Sequence, residues 1–286
     1  MKYAALIGNP VEHSVAPYLH EYLARMHHIE FRYLKIKVAE GQVHSTLASL
    51  KQLGFCGCNV TLPYKEEVKG YVGTLDNAAK GSGAVNTIVL HSDGAVGRNT
   101  DWIGVEQGLI AAGLVVGPDD RAVVLGSGGA ARAAIYALKQ LGFETVEVFH
   151  VTPADEKTQR LSAESPTGGF TMHTYDEVVG GIDRAKVVCN MTSTGMAGQD
   201  STPFDLTRLD TISLSGKYFF DAVFNPVNTP FLKYAGDNGA VIVDGIWMMI
   251  YQGIPAFAAW TGEEVHLQKA QLRELHSMLV HEVGAH

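Results

Sequence analysis

The sequence predicts an α/β protein of two domains, and three features carry that expectation. The chain has 286 residues, 46% hydrophobic and 18% charged, enough apolar material for more than one core. Short apolar runs alternate with amphipathic stretches from the first residues onward, the rhythm of α/β architecture. Near the middle, an apolar run at residues 121–125 passes through Gly126-Ser127-Gly128-Gly129-Ala130-Ala131 into an alanine-rich stretch with Ile135, Leu138 and Leu141 along one side. A strand, a glycine turn and a helix in that order form the phosphate-cradling unit of a doubly wound parallel sheet of the Rossmann type.

Each small residue of that turn has a physical task. Gly126 lets the chain reverse sharply, Gly128 removes a Cβ where backbone would approach a pyrophosphate, and Ala131 allows close packing of helix on strand. The free N–H groups at the helix start, at Gly128, Gly129 and Ala130, lie at the positive end of the helix dipole and favour a phosphate anion. The expected ligand is a dinucleotide; an ordinary strand–turn–helix is the alternative.

Composition bounds the partners. The formal net charge is −8 and no Lys/Arg-rich run stands out, which argues against nucleic acid or an anionic membrane and for a small-molecule partner. No apolar run approaches membrane-spanning length. The first apolar run, residues 3–7, stops at Gly8-Asn9-Pro10, too short for a signal peptide. Cys56, Cys58 and Cys189 fit neither a disulfide framework nor a zinc pattern. No metal site is expected, and the thiols point to a reducing, cytoplasmic setting.

Residues 1–101 read as the first domain. A strand at 3–7 precedes a helix that opens at Ser14-Val15-Ala16-Pro17, with the proline in a first turn that tolerates it. A strand at 30–38 alternates Phe31 and Tyr33 against Arg32 and Leu34. Then come a helix at 43–53 ending at Gly54, a strand at 57–62, a turn at Pro63-Tyr64 and a helix carrying Lys65. Strands at 84–90 and 95–99 flank Ser92-Asp93-Gly94, a hairpin signal. Asn99-Thr100-Asp101 starts a helix to Ala112 that bridges into the second domain, residues 102–245. Beyond the glycine turn, strands are expected at 145–151, 186–190, 218–223 and 240–243, with a polar segment at 153–169. Helices at 247–260 and 264–283 return to the first domain, which residues 246–286 complete; Val265, Leu272, Leu275, Met278 and Leu279 give the last helix an apolar face.

Several of these stretches fall in a telling order: the run from Gly8 through His13 to His20, Asn59-Val60-Thr61-Leu62-Pro63-Tyr64-Lys65, Gly83-Ala84-Val85-Asn86-Thr87, Gly97-Arg98-Asn99-Thr100-Asp101, and Asn190-Met191-Thr192-Ser193-Thr194-Gly195-Met196. With the glycine turn and the run from Gly245 to Gln252, the chain resembles the shikimate dehydrogenase family over nearly its whole length. Read alone, Lys65 fits a solvated lysine among Glu66, Glu67 and Lys69, and Asp101 fits a helix cap. The resemblance implies instead that Lys65 and Asp101 form a catalytic pair beside the reacting hydroxyl. It further implies a hydride transfer between a nicotinamide cofactor, NAD or NADP, and a hydroxyl or keto group of a shikimate- or quinate-like ring acid lying between the domains. Thr61, Asn86 and Gln252 would then contact the substrate's hydroxyls and Ser14 its carboxylate. Gly245 and Met248 would lie near the nicotinamide, and the turn from Thr192 to Gly195 along the cofactor path. Met248 also reads as core, Asn86 and Asn99 as turn amides, and His13 as an ordinary loop histidine. The expected assembly is a monomer or homodimer.

Three departures from the family pattern stand out. The second nucleotide-domain strand ends in His150-Val151-Thr152, without the arginine that faces a 2′-phosphate in NADP-using relatives and without the acid that binds a free 2′-hydroxyl. Asp155, Lys157 and Arg160 follow nearby. The balance tips to NAD. A Ser-x-Ser pair has become Ser14-Val15-Ala16, and a tyrosine has become Phe224. The resemblance places both lost hydroxyls at the substrate's carboxylate end. A paralogue acting on an amino-substituted or carboxylate-altered ring polyol is therefore a rival. So is a non-catalytic dinucleotide-binding sensor, which would have no use for Lys65 and Asp101.

Overall fold

The computed structural model describes residues 1–152, 169–198 and 201–285. The chain divides into two compact units, Met1–Asp101 with Met249–His286, and Trp102–Met248.

The first unit contains β1 (Lys2–Gly8), α1 (Ala16–Met26), β2 (Phe31–Lys37), α2 (Val43–Gln52), β3 (Gly57–Val60), a 3₁₀ turn (Glu67–Tyr71), β4 (Thr74–Leu75), α3 (Asn77–Ser82), β5 (Thr87–Leu90) and β6 (Ala95–Arg98). The sheet order is β2-β1-β3-β5-β6-β4. β1 runs parallel to β2 and β3, while β5 is antiparallel to β3 and to β6, its hairpin partner. On one face, Ala5, Ile7, Cys58 and Val60 pack with Val43, Leu47 and Leu50 of α2. On the other lie Phe31 and Tyr33 of β2, His20 of α1, and Phe257 and Trp260 of α8 (Gly245–Thr261). Trp260 donates its indole N–H to the Ile88 carbonyl at 2.9 Å. A Cβ on Gly57 would lie 2.3 Å from that indole nitrogen, so strand and ring meet only because the residue is glycine.

The sequence reading did not foresee β4 or α3, and two other elements differ from it. Lys65 lies in a turn after β3, not on a helix. Its carbonyl accepts the Val85 N–H at 2.7 Å, so it is not free for a helical ladder, and buried Tyr64 anchors the turn through its hydroxyl to the Val38 carbonyl. The last helix, α9 (Lys269–Gly284), starts later than residue 264, where Gln268 and Gln271 cap each other reciprocally.

The second unit contains β7 (Arg121–Leu125), α5 (Gly129–Gln140), β8 (Thr145–Phe149), β9 (Phe170–His173), α6 (Val178–Arg184), β10 (Val187–Asn190), β11 (Tyr218–Asp221), α7 (Pro230–Asp237) and β12 (Val241–Val243). Helix α4 (Asp101–Ala111) leads into it. Its sheet is parallel throughout, in the order β12-β11-β10-β7-β8-β9. From β7 the chain works outward to β9 and then returns to β10 on the other side. This is the doubly wound order, and the neighbouring carboxyl ends of β7 and β10 form its switch point. Ala131, Ile135 and Leu138 of α5 pack with Ala122 and Val124 of β7. The sequence reading missed β9, α6 and α7. Asp155, Lys157, Arg160 and most of the expected polar segment lie outside the described residues. Among the described residues, no helix is long and apolar enough to cross a membrane, and no cluster of metal-ligating side chains occurs.

Candidate active site

In the first unit, the chain folds a set of polar side chains into one buried cluster. Lys65 Nζ donates to Asp101 Oδ2 at 2.7 Å, with side chains only 15% and 6% exposed. Asp101 Oδ1 accepts from Asn86 Nδ2 at 2.8 Å. Asn86 Nδ2 also reaches Thr100 Oγ1 at 2.9 Å and Gln252 Oε1 at 3.2 Å. The orientation of the Asn86 amide is fixed by a donor that cannot change sides: the Thr100 backbone N–H points at Asn86 Oδ1 at 2.7 Å. The amide nitrogen must therefore face Asp101.

A second layer holds that amide. Asn59 Nδ2 donates to the Asn86 carbonyl at 3.1 Å and to Thr87 Oγ1 at 3.0 Å, and Tyr33 donates its hydroxyl to Asn59 Oδ1 at 2.7 Å. Thr87 Oγ1 in turn donates to Asn86 Oδ1 at 3.1 Å. Asn99 is committed internally: its amide donates to Ser82 Oγ and the Ala84 carbonyl, and its Oδ1 accepts the Asp101 N–H. It fits the structural alternative, with no donor or acceptor plainly turned to a ligand. Thr100, Thr87, Asn59 and Tyr33 were missed as parts of this cluster. The adjacency of Thr100 to Asp101 was a usable signal, whereas the other contacts join residues far apart in the chain.

Two of the first unit's expected site residues stand outside the cluster. Ser14 is half-buried, and its Oγ accepts the Ala16 N–H at 3.3 Å. Thr61 is half-buried next to Gly8, where an added Cβ would come within 2.3 Å of its methyl group. Gln252 joins the cluster from α8, with its amide nitrogen tied to the Met249 carbonyl at 3.0 Å. His13 is exposed.

In the second unit, the glycine turn lies at the switch point. Gly126 has φ of 102°, a left-handed conformation that suits glycine. Its N–H donates to the Phe149 carbonyl at 2.8 Å. Gly128 caps α5 with no side-chain hydrogen bond, and the space where its Cβ would stand is open. Gly129 and Ala130 begin the helix, so their N–H groups belong to an uncapped twelve-residue helix start. The open space beside Gly128 at a helix start is compatible with a phosphate. Thr192 flanks this turn: a Cβ on Gly126 would lie 3.0 Å from its methyl group. Gly245 abuts the backbone of the segment after β11, since a Cβ there would lie 2.6 Å from the Val223 carbonyl oxygen. Met248 is buried in the unit's core against Gly104, in line with its packing alternative. Beyond β8, Val151 is 75% exposed, and the Thr152 N–H donates to His150 Nδ1 at 3.1 Å.

Comparison with known proteins finds relatives over most of the chain. A family model described as the shikimate dehydrogenase substrate binding domain matches residues 6–88. Shikimate dehydrogenase (NADP(+)) of Lysinibacillus sphaericus is 35% identical over 265 residues, covering 92% of this chain and 93% of the relative. Among solved structures, shikimate 5-dehydrogenase from Thermus thermophilus, in complex with NADP(H) and shikimate, superposes with a TM-score of 0.83 at 28% identity, covering 98% of this chain and 100% of that one. Quinate dehydrogenase from Corynebacterium glutamicum, in complex with NAD, gives a TM-score of 0.84 at 28% identity, covering 98% and 99%.

Proposed function

The chain belongs to the shikimate dehydrogenase family, and from that premise we propose that it interconverts a hydroxyl and a keto group on a shikimate-like ring acid, with Lys65 and Asp101 as the proton-handling pair. The observation that carries this reading is the 2.7 Å contact of Lys65 Nζ with Asp101 Oδ2 inside a cluster of neutral amides and hydroxyls. Asp101 takes one of the three ammonium donors and leaves the others for a substrate oxygen. In the oxidising direction Lys65 must start as the neutral amine, whose lone pair accepts the hydroxyl proton; in the reducing direction the ammonium gives a proton to the new alkoxide oxygen. A bound nicotinamide supplies the acceptor or donor of the hydride. Asn86 and Gln252 meet at 3.2 Å, so an arriving ring hydroxyl replaces one amide partner of each, while Thr61 and Ser14 are free to meet further polar groups. Asn86 is thus both a support for Asp101 and a substrate contact.

The nicotinamide dinucleotide is assigned to the second unit, at Gly126, Gly128, Gly129, Ala130, Thr192 and Gly245, with Met248 beside it. Its 2′ end is the finer question. The lean toward NAD has no support from the curated relatives, whose names carry NADP(+). It rests on the missing guanidinium at His150-Val151-Thr152, and on that ground NAD is used at least as well as NADP. A cytoplasmic location and a monomer or homodimer belong to the same reading.

The test is the appearance of reduced nicotinamide absorbance when purified protein meets shikimate, quinate or an amino-substituted ring acid with each dinucleotide. Ring-acid-dependent reduction is expected. Dinucleotide binding without turnover on any ring acid overturns the enzyme and leaves the sensor. One observation favours an altered substrate end: Ala16 and Phe224 both stand where a hydroxyl is usual, by resemblance. If that difference is functional, shikimate binds weakly and a compound changed at its carboxylate binds better.

A further inference from the structure

Asp221, at the carboxyl end of β11, is fully buried and has no part in the proton chemistry described above. Its carboxylate gathers three donors from three segments. Asn190 Nδ2, at the end of β10, reaches Oδ1 at 3.0 Å; the Val223 N–H reaches the same oxygen at 3.0 Å; and Thr229 Oγ1, at the N-cap of α7, reaches Oδ2 at 2.7 Å. The connection continues past Asn190. Its Oδ1 accepts the Thr192 N–H at 3.2 Å and the Thr192 hydroxyl at 2.7 Å, and Thr192 Oγ1 accepts the Thr194 N–H at 3.1 Å. Because a backbone N–H points at Asn190 Oδ1, the amide can face Asp221 only with its nitrogen, which requires an acceptor at position 221.

The two segments tied to Asp221 are also the two that crowd the glycines of the dinucleotide site. Thr192 presses its methyl group toward Gly126, and the Val223 carbonyl lies under Gly245. We infer that Asp221 is the positioning residue of the dinucleotide site, holding the Thr192 turn and the Val223 backbone in the places the cofactor needs. The inference rests on the reading of the glycine turn as a nicotinamide dinucleotide site.

The chemistry of the group supports this role. Burial pushes the Asp221 carboxyl up to about 6, against the pull of its three donors. It is therefore ionised at neutral pH, where a carboxylate accepts all three bonds and makes them stronger than neutral ones. All its hydrogen-bond partners among the described residues are neutral, and the buried Cys189 thiol beside it is pushed up further by its charge. A core residue serving packing alone would not need a charge there.

The test is the dissociation constant of NADH and NADPH, read from nicotinamide fluorescence without any ring acid, set beside KM for shikimate. Asp221→Ala is expected to weaken both dinucleotides about tenfold or more, with KM for shikimate changed less than about twofold. Asp221→Asn keeps an oxygen for Asn190 and Val223 and is expected to recover most of the affinity. Should the alanine variant not fold, Asn190→Ala cuts only the link to Thr192 and is expected to weaken both dinucleotides about fivefold or more. Wild-type dinucleotide affinity in folded Asp221→Ala, or in Asn190→Ala if that protein alone folds, overturns the inference. So does an equal loss in dinucleotide and shikimate parameters. If wild type itself binds neither dinucleotide, the reading of the glycine turn fails instead.

Discussion

The first unit buries a lysine and an aspartate against each other, whereas the second buries an aspartate against neutral donors alone. In the first case the charges offset one another, and Asn86, itself held by Thr100, takes the other carboxylate oxygen. In the second no countercharge among the described residues touches Asp221, and desolvation raises its pKa to about 6. The difference fits the proposed tasks. A group that exchanges a proton with substrate must stay reachable, and Lys65 keeps 15% of its side chain exposed. A group that shapes a backbone cradle needs no access, and Asp221 has none. The units differ in their glycines too. The second unit places Gly126, Gly128 and Gly245 at the proposed dinucleotide site, while the cluster of the first is made almost wholly of side chains.

Changes confined to one unit should therefore separate chemistry from cofactor binding. Apart from the loss of Lys65 itself, the largest effect is expected for Asp101→Asn, which removes the carboxylate holding Lys65 while keeping the shape. Its kcat should fall by about 10² or more, within the usual range for a disturbed general acid–base. Dinucleotide affinity measured by fluorescence should not move. A parallel loss of dinucleotide affinity would break the division of labour between the units.

Next comes the substrate's carboxylate end. Ala16→Ser with Phe224→Tyr restores two hydroxyls, each worth about 1.5–3 kcal/mol if it meets a charged group. Because two contacts to one substrate group need not add fully, KM for shikimate should fall about tenfold or more, and by more than in either single variant. An unchanged KM would mean that neither position selects the substrate.

A smaller effect is expected at Val151, whose side chain is already exposed beyond β8. Val151→Arg offers a guanidinium to a 2′-phosphate and should shift the ratio of kcat/KM for NADP over NAD by about tenfold. A wild type that strongly prefers NADP would show that another cation already serves there, and the lean toward NAD would end.

The smallest effect sharpens the comparison through pH. His20 in the first unit is fully buried and stacked on Tyr33 at 4.3 Å, with Asn59 the polar side chain beside its ring. Burial lowers its pKa from 6.5 to about 3. The unfolded chain then holds more protons, so this contribution is complete above pH 6.5 and is lost as pH falls toward 3. For Asp221, raised from 3.8 to about 6, the sign reverses. The folded chain holds more protons, and stability is lost as pH rises from about 4 to 6. Each slope approaches about 1.4 kcal/mol per pH unit, and between pH 4 and 6 the two oppose each other. Relative to wild type, His20→Phe should lose stability as pH rises through that window and Asp221→Asn should gain it, as read by denaturant titration. Variants with parallel pH profiles would contradict these assignments.

The sequence made the second unit's glycine turn legible because that signal is local: strand, turn and helix are contiguous at residues 121–140. Helix α7 had a local signal as well, the Thr229 cap followed by Pro230, and it was overlooked. Strand β9 carried little contrast, four residues with partly buried side chains. The first unit's cluster was much less legible. Lys65 and Asp101 are 36 residues apart, and only the family resemblance joined them. The contacts that orient Asn86, from Asn59 through Thr87, depend on β3 and β5 lying side by side in antiparallel register. No spacing rule in the sequence reports that pairing. The place of Lys65 in a turn was set by the Val85 N–H, again a partner distant in sequence.

The most direct test of the whole account is Lys65→Ala, assayed for shikimate-dependent reduction of dinucleotide and, on the same preparation, for NADPH binding by fluorescence. Turnover lower by about 10²–10⁴ with unchanged NADPH affinity is the predicted result. Near-wild-type turnover would contradict it and move the chemistry away from the Lys65–Asp101 pair.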